Sequence, residues 1–365
     1  MNIDLKTIKP LKKLGNGLHA TVYLVTYNNQ NYALKVLKIF NNKINKNSQI
    51  WNELDLYKYI DKLKPIDQSF FTKLYYYKIY YDCNKHKYTK ELYVNDNKSN
   101  ICIKYLQDYK GDTTLRSYIE NNLLSNIELY SLILQLCHIQ LILFKNGYSH
   151  GDLHLDNIMI NKTNKKYFKL LNKKIYFNGL QISIIDYGSV FHKKFNNIKK
   201  NSSVLFFLTK PVQYMYAEIY KIIIKLLKLP VYIDGITVIK LIKKIIKYHP
   251  VFFNEYKNNN ENLFLQYESV FSTIQNSKKN EIFKNILLNN QVINEQNKQE
   301  FIFFVYKLID QFCILYPILF NKYVNLNHNY ICPIPINDAY SLLKINSIEN
   351  LINFCILKIE LINKL

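Results

Sequence analysis

Short runs of alternating hydrophobic and polar residues dominate the first part of the chain, and this pattern predicts β-strands. The segments "LKKLGNGLHATVYLV" and "NYALKVLKI" are rich in β-branched and aromatic residues, and Asn28 and Asn29 between them predict a turn. The order is therefore strand, glycine-containing loop, strand, turn, strand. A tyrosine-rich run at 74–81 and a mostly apolar run at 101–106 predict two further strands.

The spacing of hydrophobic residues lengthens at several places to three or four, which predicts helices. One such segment, 48–63, carries apolar residues on one helical face at Leu56, Tyr57 and Ile60. Ser125 and Glu128 form the capping pattern S-N-I-E, and Gly147 is placed to end the helix that starts there. The apolar stripe of that helix consists of Leu129, Leu132, Ile133, Leu136, Ile139 and Leu143.

From about residue 219 the chain is predicted to be mostly helical, which makes the fold class α+β. The last helix is predicted to start at Ser347 and to bury Leu351, Cys355 and Ile359. The segment 219–247 is interrupted by lysines and predicts amphipathic surface helices. We expect no transmembrane segment, and no signal peptide at the start of the sequence.

Composition changes this picture only in part. The 365 residues carry a formal net charge of +22, which by itself favours anionic partners. Arg116 is the only arginine among the 49 basic residues, although arginine is preferred for contacts to phosphate and guanine. The abundant lysine, asparagine, isoleucine and tyrosine share A/T-rich codons, so a biased genome explains most of the positive charge. Because the chain also has a single arginine, nucleic-acid binding is not expected to be its primary function. The six scattered cysteines predict buried reduced thiols, and hence a reducing intracellular compartment.

Chemistry enters with a glycine-containing turn, "LGNGLHATVY". Gly15 and Gly17 would let backbone amides approach phosphate oxygens, and Val22 would cover a purine ring. Two glycines in a strand turn are common, so this motif is weak alone. The next motif, "YALKV", places Lys35 in an apolar strand, where it can pair with phosphates if a carboxylate holds it. Glu53 is the favoured partner, with Asp55 as the alternative.

Two further motifs follow in the same order. In "YSHGDLHLDNIMI", Asp152 would accept the proton of an attacking hydroxyl, and Asn157 would hold Mg²⁺ through its amide oxygen. In "ISIIDYGSV", Asp186 ends an apolar strand and would also bind Mg²⁺. Tyr187 stands where a phenylalanine is more usual.

Together the four motifs resemble the protein kinase-like superfamily, over roughly residues 11–190. The resemblance implies a bilobal fold, with a β-rich N-lobe at 1–106 and a mainly α-helical C-lobe at 107–365. It implies ATP as phosphate donor and Mg²⁺, or Mn²⁺, as cofactor. It also implies Ile103 as gatekeeper and a hinge that bonds adenine through its backbone. The hinge residues and other adenine-contacting residues so implied are Lys104, Tyr105, Leu106, Met159, Leu14 and Ala33.

Two departures narrow the resemblance. Gly151 replaces an arginine and His154 replaces a lysine, as in aminoglycoside- and choline-type kinases and in haspin-like protein kinases. The insertion at 162–180 predicts an extra hairpin turning near Asn172, and "GLQISIIDY" is similar to haspin-like sequences and to kinases of large DNA viruses. His154 would either contact the γ-phosphate or orient Asp152. We expect the hairpin to matter for stability and to be dispensable for the chemistry.

The sequence therefore predicts a serine/threonine protein kinase with a protein substrate, cytoplasmic or nuclear, or in a virion if the source is viral. Gly151 cannot bind a phosphate on the activation segment, so control by such phosphorylation is not expected. The alternatives are a small-molecule kinase and, ranked lower, a pseudokinase scaffold. Glu218 or Asp234 would anchor the catalytic loop. The oligomeric state stays open.

Overall fold

The computed structural model describes residues 8, 10–16, 20–39, 44, 50–81, 101–192, 211–227, 333–345 and 347–364. The chain divides into two compact units, each formed from two segments. Unit 1 comprises Met1–Asn122 and Asp152–His192, and unit 2 comprises Leu123–Gly151 and Lys193–Leu365. The lobe boundary at residue 106 stays a prediction, and all the predicted catalytic and metal-binding residues fall in unit 1.

Unit 1 contains a five-stranded antiparallel sheet in the order β1-β2-β3-β5-β4. Its strands confirm the predicted ones and are β1 (Pro10–Asn16), β2 (Ala20–Tyr27), β3 (Gln30–Lys38), β4 (Leu74–Tyr80) and β5 (Cys102–Asp108). Asn28 and Asn29 form the turn between β2 and β3 with positive φ angles of 48° and 59°, which asparagine tolerates well. One face of the sheet buries a core that includes Val25, Leu34, Val36 and Leu106.

Helix α1 (Ile50–Ile60) belongs to the same unit and confirms the predicted helix. The predicted apolar face is buried, because Leu56, Tyr57 and Ile60 are at most 2% exposed. Glu53 lies on the same buried side and is 1% exposed. A short helix α2 (Pro65–Gln68) then leads towards β4, and α3 (Leu115–Asn121) follows β5.

Two of the predicted motif segments of unit 1 lie at one end of a two-stranded ribbon. Strands β7 (Ile158–Lys162) and β10 (Leu180–Ile184) pair antiparallel from Leu180 opposite Lys162 to Ile184 opposite Ile158. Between them, β8 (Tyr167–Leu170) and β9 (Lys173–Tyr176) form the predicted extra hairpin. Its turn is Leu171–Asn172, where both residues have positive φ, as a two-residue hairpin turn of the primed type requires.

Unit 2 is built on α4 (Asn126–Lys145), whose N-terminus has the predicted capping box of Ser125 and Glu128. Helices α5 (Pro211–Leu226) and α7 (Ile348–Ile362) pack against α4, and α6 (Ile336–Lys344) precedes α7. The hydroxyl of Tyr130 donates a 2.8 Å hydrogen bond to Asp338, which ties α4 to α6. The short strands β6 (Tyr148–Ser149) and β11 (Phe191–His192) complete the described elements.

Two expectations need correction. Cys102 is disulfide-bonded, so not every cysteine is a reduced thiol, although Cys137 and Cys355 are free and buried. The buried face of α7 includes Ile352 and Ile356, whereas Ile359 is half-buried, because the face follows a 3.6-residue period. Helix α4 is long and apolar enough to cross a membrane, but by length and composition alone. Its most apolar stretch is 72% buried inside the protein, as in a core helix.

Candidate active site

Lys35 is the centre of a buried ion cluster in unit 1. Its ammonium lies 2.9 Å from Glu53 Oε1 and 2.8 Å from Asp186 Oδ1. Burial by itself lowers the pKa of Lys35, but the charges and hydrogen bonds of the two carboxylates outweigh it and raise the pKa above its ordinary value. Lys35 is therefore a permanent cation held between a helix and the end of a strand. Glu53, rather than the alternative Asp55, is the carboxylate in hydrogen-bond contact.

Asp186 follows β10 and has an unusual backbone. Its φ of 60° lies in the left-handed region, which costs a non-glycine residue about 1–2 kcal/mol. Its Oδ1 accepts a 3.3 Å hydrogen bond from the amide of Gly188. A Cβ atom at position 188 would lie 3.3 Å from that oxygen, which is a tight contact, and 3.7 Å from Lys35 Nζ, which is an ordinary one. Gly188 therefore leaves the space in which Lys35 and Asp186 meet, a role the sequence interpretation did not assign.

Asn157 and Asp186 stand at the same end of the β7–β10 ribbon. Asn157 immediately precedes β7, and its carbonyl accepts a 3.0 Å hydrogen bond from the amide of Ile185. Its side-chain nitrogen donates to the carbonyl of Asp152 at 2.9 Å, so the amide oxygen is the atom left for a metal. The Asp186 side chain is 51% exposed and offers a carboxylate oxygen.

These two oxygen donors fit Mg²⁺, which commonly takes few protein ligands and completes its shell with water and phosphate. Among the residues described, there is no group of three or more histidines, cysteines or carboxylates that could hold a metal on its own. A metal at Asn157 and Asp186 would therefore depend on substrate phosphates for further ligands.

His154 makes its described contacts within its own loop. Its Nδ1 accepts a 3.2 Å hydrogen bond from the amide of Asp156, and its Nε2 lies 3.7 Å from Asp152 Oδ2. Nε2 also lies 3.0 Å from the side-chain nitrogen of Asn157. A neutral ring has only one acceptor nitrogen, so it cannot accept from Asp156 and Asn157 together. These contacts place the His154 ring beside Asp152 and Asn157, and both roles considered for it, a phosphate contact and the orientation of Asp152, stay predictions.

The residues expected to surround a nucleotide lie mostly on one face of the sheet. Residues opposite each other in adjacent strands share a face, and Val22 is opposite Lys35 while Leu37 is opposite Ile103. Ala33 shares the face of Lys35 because the two are two positions apart in β3. Gly15 is exposed in β1, Leu14 is half-buried, Met159 is buried in β7, and Gly17 lies outside the described residues.

The predicted hinge does not fit the register. Residues 104–106 lie inside β5, which is hydrogen-bonded to β3 on one side and β4 on the other. Their backbone groups alternate between the two neighbouring strands, so they are not available to adenine. Leu106 also belongs to the core on the face opposite Lys35. The chain leaves the sheet only after Asp108, so residues 109–111 are the first candidates for the hinge.

Glu218, one of two carboxylates considered as anchor of the catalytic loop, is buried in unit 2. It accepts hydrogen bonds from Gln140 Nε2 at 3.0 Å and from the hydroxyl of Ser149 at 3.3 Å. The backbone of Gly151 also hydrogen-bonds to it. Burial raises the pKa of the Glu218 carboxyl to about 7, although the hydrogen bonds act in the opposite direction. The alternative, Asp234, lies outside the described residues.

Gly151 itself has a φ of 78°, which favours glycine and explains the residue type at this position. Arg116 lies far from the loop of Gly151 in sequence but contacts it in space. Its Nε donates to both carboxylate oxygens of Asp156, at 2.7 and 2.9 Å, and so ties α3 to the loop. Forty residues separate the pair, so no local pattern pointed to the contact.

From the sequence, Tyr187 is unusual only in that it stands where a phenylalanine is more common. Its ring is fully buried, with its centroid 5.0 Å from that of Tyr57 on α1. Its hydroxyl accepts a 2.8 Å hydrogen bond from the amide of Thr72 and donates to the carbonyl of Ile184 at 3.1 Å. A phenylalanine could not make these two hydrogen bonds.

Comparison with known proteins shows a distant similarity to one viral protein. No family model matches the chain. A protein of Acanthamoeba polyphaga mimivirus, named "Putative serine/threonine-protein kinase", is 29% identical over 172 residues. The match covers 47% of this chain and 29% of that protein, so the chain spans less than a third of the relative's length. It supports a distant kinase-like relationship and is compatible with the α+β architecture.

Proposed function

We propose that the chain is an ATP-dependent serine/threonine protein kinase that transfers the γ-phosphate to a protein hydroxyl. The observation that supports this most is Lys35, buried between Glu53 and Asp186 in the same compact unit as Asp152 and Asn157. A lysine held in this way can contact the α- and β-phosphates of a nucleotide without moving its side chain. The distant similarity to a protein named as a viral kinase supports the same reaction class.

In the proposed reaction, Asp152 receives the proton of the attacking hydroxyl. Its side chain is 56% exposed, so an acceptor hydroxyl can reach it. The hydroxyl oxygen bonds to the γ-phosphorus while the bond to the β–γ bridging oxygen breaks, and ADP leaves. Asn157 and Asp186 would hold Mg²⁺ or Mn²⁺, which neutralises phosphate charge when bound.

The remaining parts of the proposal concern the regulation, fold, substrate class, location and relationships of the protein. Gly151 has no side chain to receive a phosphate, and the nearby Arg116 already contacts Asp156, so we propose activity without activation-segment phosphorylation. We also propose a bilobal kinase fold, a protein substrate and an intracellular location, cytoplasmic or nuclear. A relationship to haspin-like and large-virus kinases is part of the same proposal.

A small-molecule kinase is the second candidate, because Gly151 and His154 also occur in aminoglycoside- and choline-type kinases. Purified chain with γ-labelled ATP and Mg²⁺ should be offered a mixed protein extract and, separately, amino alcohols and aminoglycosides. We expect label on protein serine or threonine, lost on chelation and in Asp152→Ala. Label confined to small molecules would support the second candidate. No transfer by the wild-type chain to either would reject both and leave a binding role.

A further inference from the structure

The β8–β9 hairpin buries its inner face against a segment that leads to the candidate active site. The ring centroids of Phe168 and Phe177 lie 5.3 and 5.7 Å from that of Phe70, and 5.2 Å from each other. All three rings are at most 1% exposed. Phe70 belongs to the connection between α2 and β4. Because the three buried rings pack against one another, the hairpin holds this connection in place, which a hairpin projecting into solvent could not do.

A polar contact joins the base of the insertion to the same connection. Gln181 Nε2 donates a 2.6 Å hydrogen bond to the hydroxyl of Ser69, which in turn donates to the carbonyl of Ile66 at 2.6 Å. Lys165 donates to Gln181 Oε1 at 3.0 Å. Aromatic and polar contacts of the insertion therefore end on neighbouring residues, Ser69 and Phe70.

Residues 70–72 in turn hold the strand end that carries Asp186. The amide of Ile184 donates to the carbonyl of Phe70 at 2.9 Å, and the amide of Thr72 donates to the carbonyl of Ile184 at 3.1 Å. The same Thr72 amide donates to the hydroxyl of Tyr187 at 2.8 Å. Asp186 thus lies between two residues, at 184 and 187, that are both bonded to the 70–72 segment.

We propose that residues 163–179, the part of the insertion between β7 and β10, are a positioning element that acts through the 70–72 segment to hold Asp186 beside Lys35. Phe168 and Phe177 are its positioning residues, because they touch neither substrate nor metal and act through Phe70. The consequence for catalysis rests on the proposed function, whereas the physical coupling to Asp186 does not. The proposal replaces the expectation that the hairpin is dispensable for the chemistry.

Hydrogen–deuterium exchange on the full chain, free of metal and nucleotide, tests the coupling. In Phe168→Ala/Phe177→Ala, amides at 70–72 and 184–188 should exchange at least about tenfold faster, because local opening there loses its support. The matched control is Tyr167→Ala/Tyr176→Ala, which alters the outward face of the same hairpin, where the two rings are 39% and 54% exposed. The control should leave both segments unchanged. Unchanged exchange in the phenylalanine variant, or equal acceleration throughout unit 1, would overturn the proposal.

Activity supplies an independent readout. The phenylalanine variant should need about tenfold more Mg²⁺ for half-maximal turnover, because Asp186 is then held less often in its metal-binding position. A merely less stable protein would lose maximal turnover without this shift, which would overturn the proposal. If the double variant does not fold, Phe168→Leu takes its place and should show smaller changes in the same direction. Wild-type chain that never transfers phosphate would reject the proposed function, while the exchange result would still decide the coupling.

Discussion

Replacing Lys35 by methionine should destabilise unit 1 chiefly through the carboxylate it leaves behind. The side chains of Lys35 and Glu53 are 5% and 1% exposed, whereas that of Asp186 is 51% exposed. The half-exposed pair with Asp186 is screened by water and contributes at most about 1 kcal/mol. Leaving Glu53 as a buried, unpaired charge costs about 3–5 kcal/mol, so this second effect dominates.

The test is a double-mutant comparison by urea unfolding. We expect Lys35→Met to lower the free energy of unfolding by about 3 kcal/mol. The double variant Lys35→Met/Glu53→Gln should recover most of this loss, because a neutral amide needs no counter-charge. Lys169→Met, which changes an exposed lysine on β8, is the control and should stay within about 0.5 kcal/mol of wild type. A Lys35→Met loss under about 1 kcal/mol, or a double variant as unstable as the single one, would refute this reasoning.

Three further predictions address the chemistry and its control. Asp152→Ala should keep nucleotide affinity by calorimetry but lower kcat about a hundredfold or more, because positioning survives without the proton acceptor; full turnover would contradict the assigned role. The raised pKa of Glu218 means that its contribution to stability is present below pH 4.5 and is lost as pH rises through about 7, a change of about 3 kcal/mol. The free energy of unfolding, measured between pH 4.5 and 7, should fall in this way in wild type and not in Glu218→Gln. An equal dependence on pH in the two proteins would contradict the prediction. Four hydroxyl residues follow Asp186, namely Ser189 and, outside the described residues, Ser202, Ser203 and Thr209. Replacing all four by alanine should change turnover only a few-fold. A loss of about a thousandfold, restored by aspartate at one of these positions, would show control by phosphorylation.

The sequence alone was enough to predict the elements whose signals are local. Alternation and the Asn28–Asn29 pair predicted the strands of unit 1, since a period of two and turn-forming residues depend only on near neighbours. The capping box at Ser125 and Glu128 predicted the start of α4 for the same reason. The residues of the Lys35 ion cluster were also selected from the sequence, because each occurs in a short motif with a defined chemistry.

What the sequence could not provide was the register and the contacts between distant segments. The placement of residues 104–106 in the centre of β5 depends on where β3 and β4 pair with it, and a shift of one residue would exchange the two faces. Arg116 meets Asp156, and Phe70 meets Phe168 and Phe177, across separations that no periodic pattern covers.

The choice of Glu53 over Asp55 as the partner of Lys35 shows most simply what the sequence determines and what the tertiary structure determines. Both carboxylates occur in α1, and the sequence favoured Glu53 as the partner of Lys35 while keeping Asp55 as the alternative. They differ by two positions, or about 200° around a helix, so only one of them can face the sheet. The packing of Leu56, Tyr57 and Ile60 fixes the rotation of α1, and that rotation brings Glu53 to within 2.9 Å of Lys35. Composition and motif determine which groups are available, whereas tertiary packing determines which of them meet, because burial and pairing energies depend on distance rather than on sequence order.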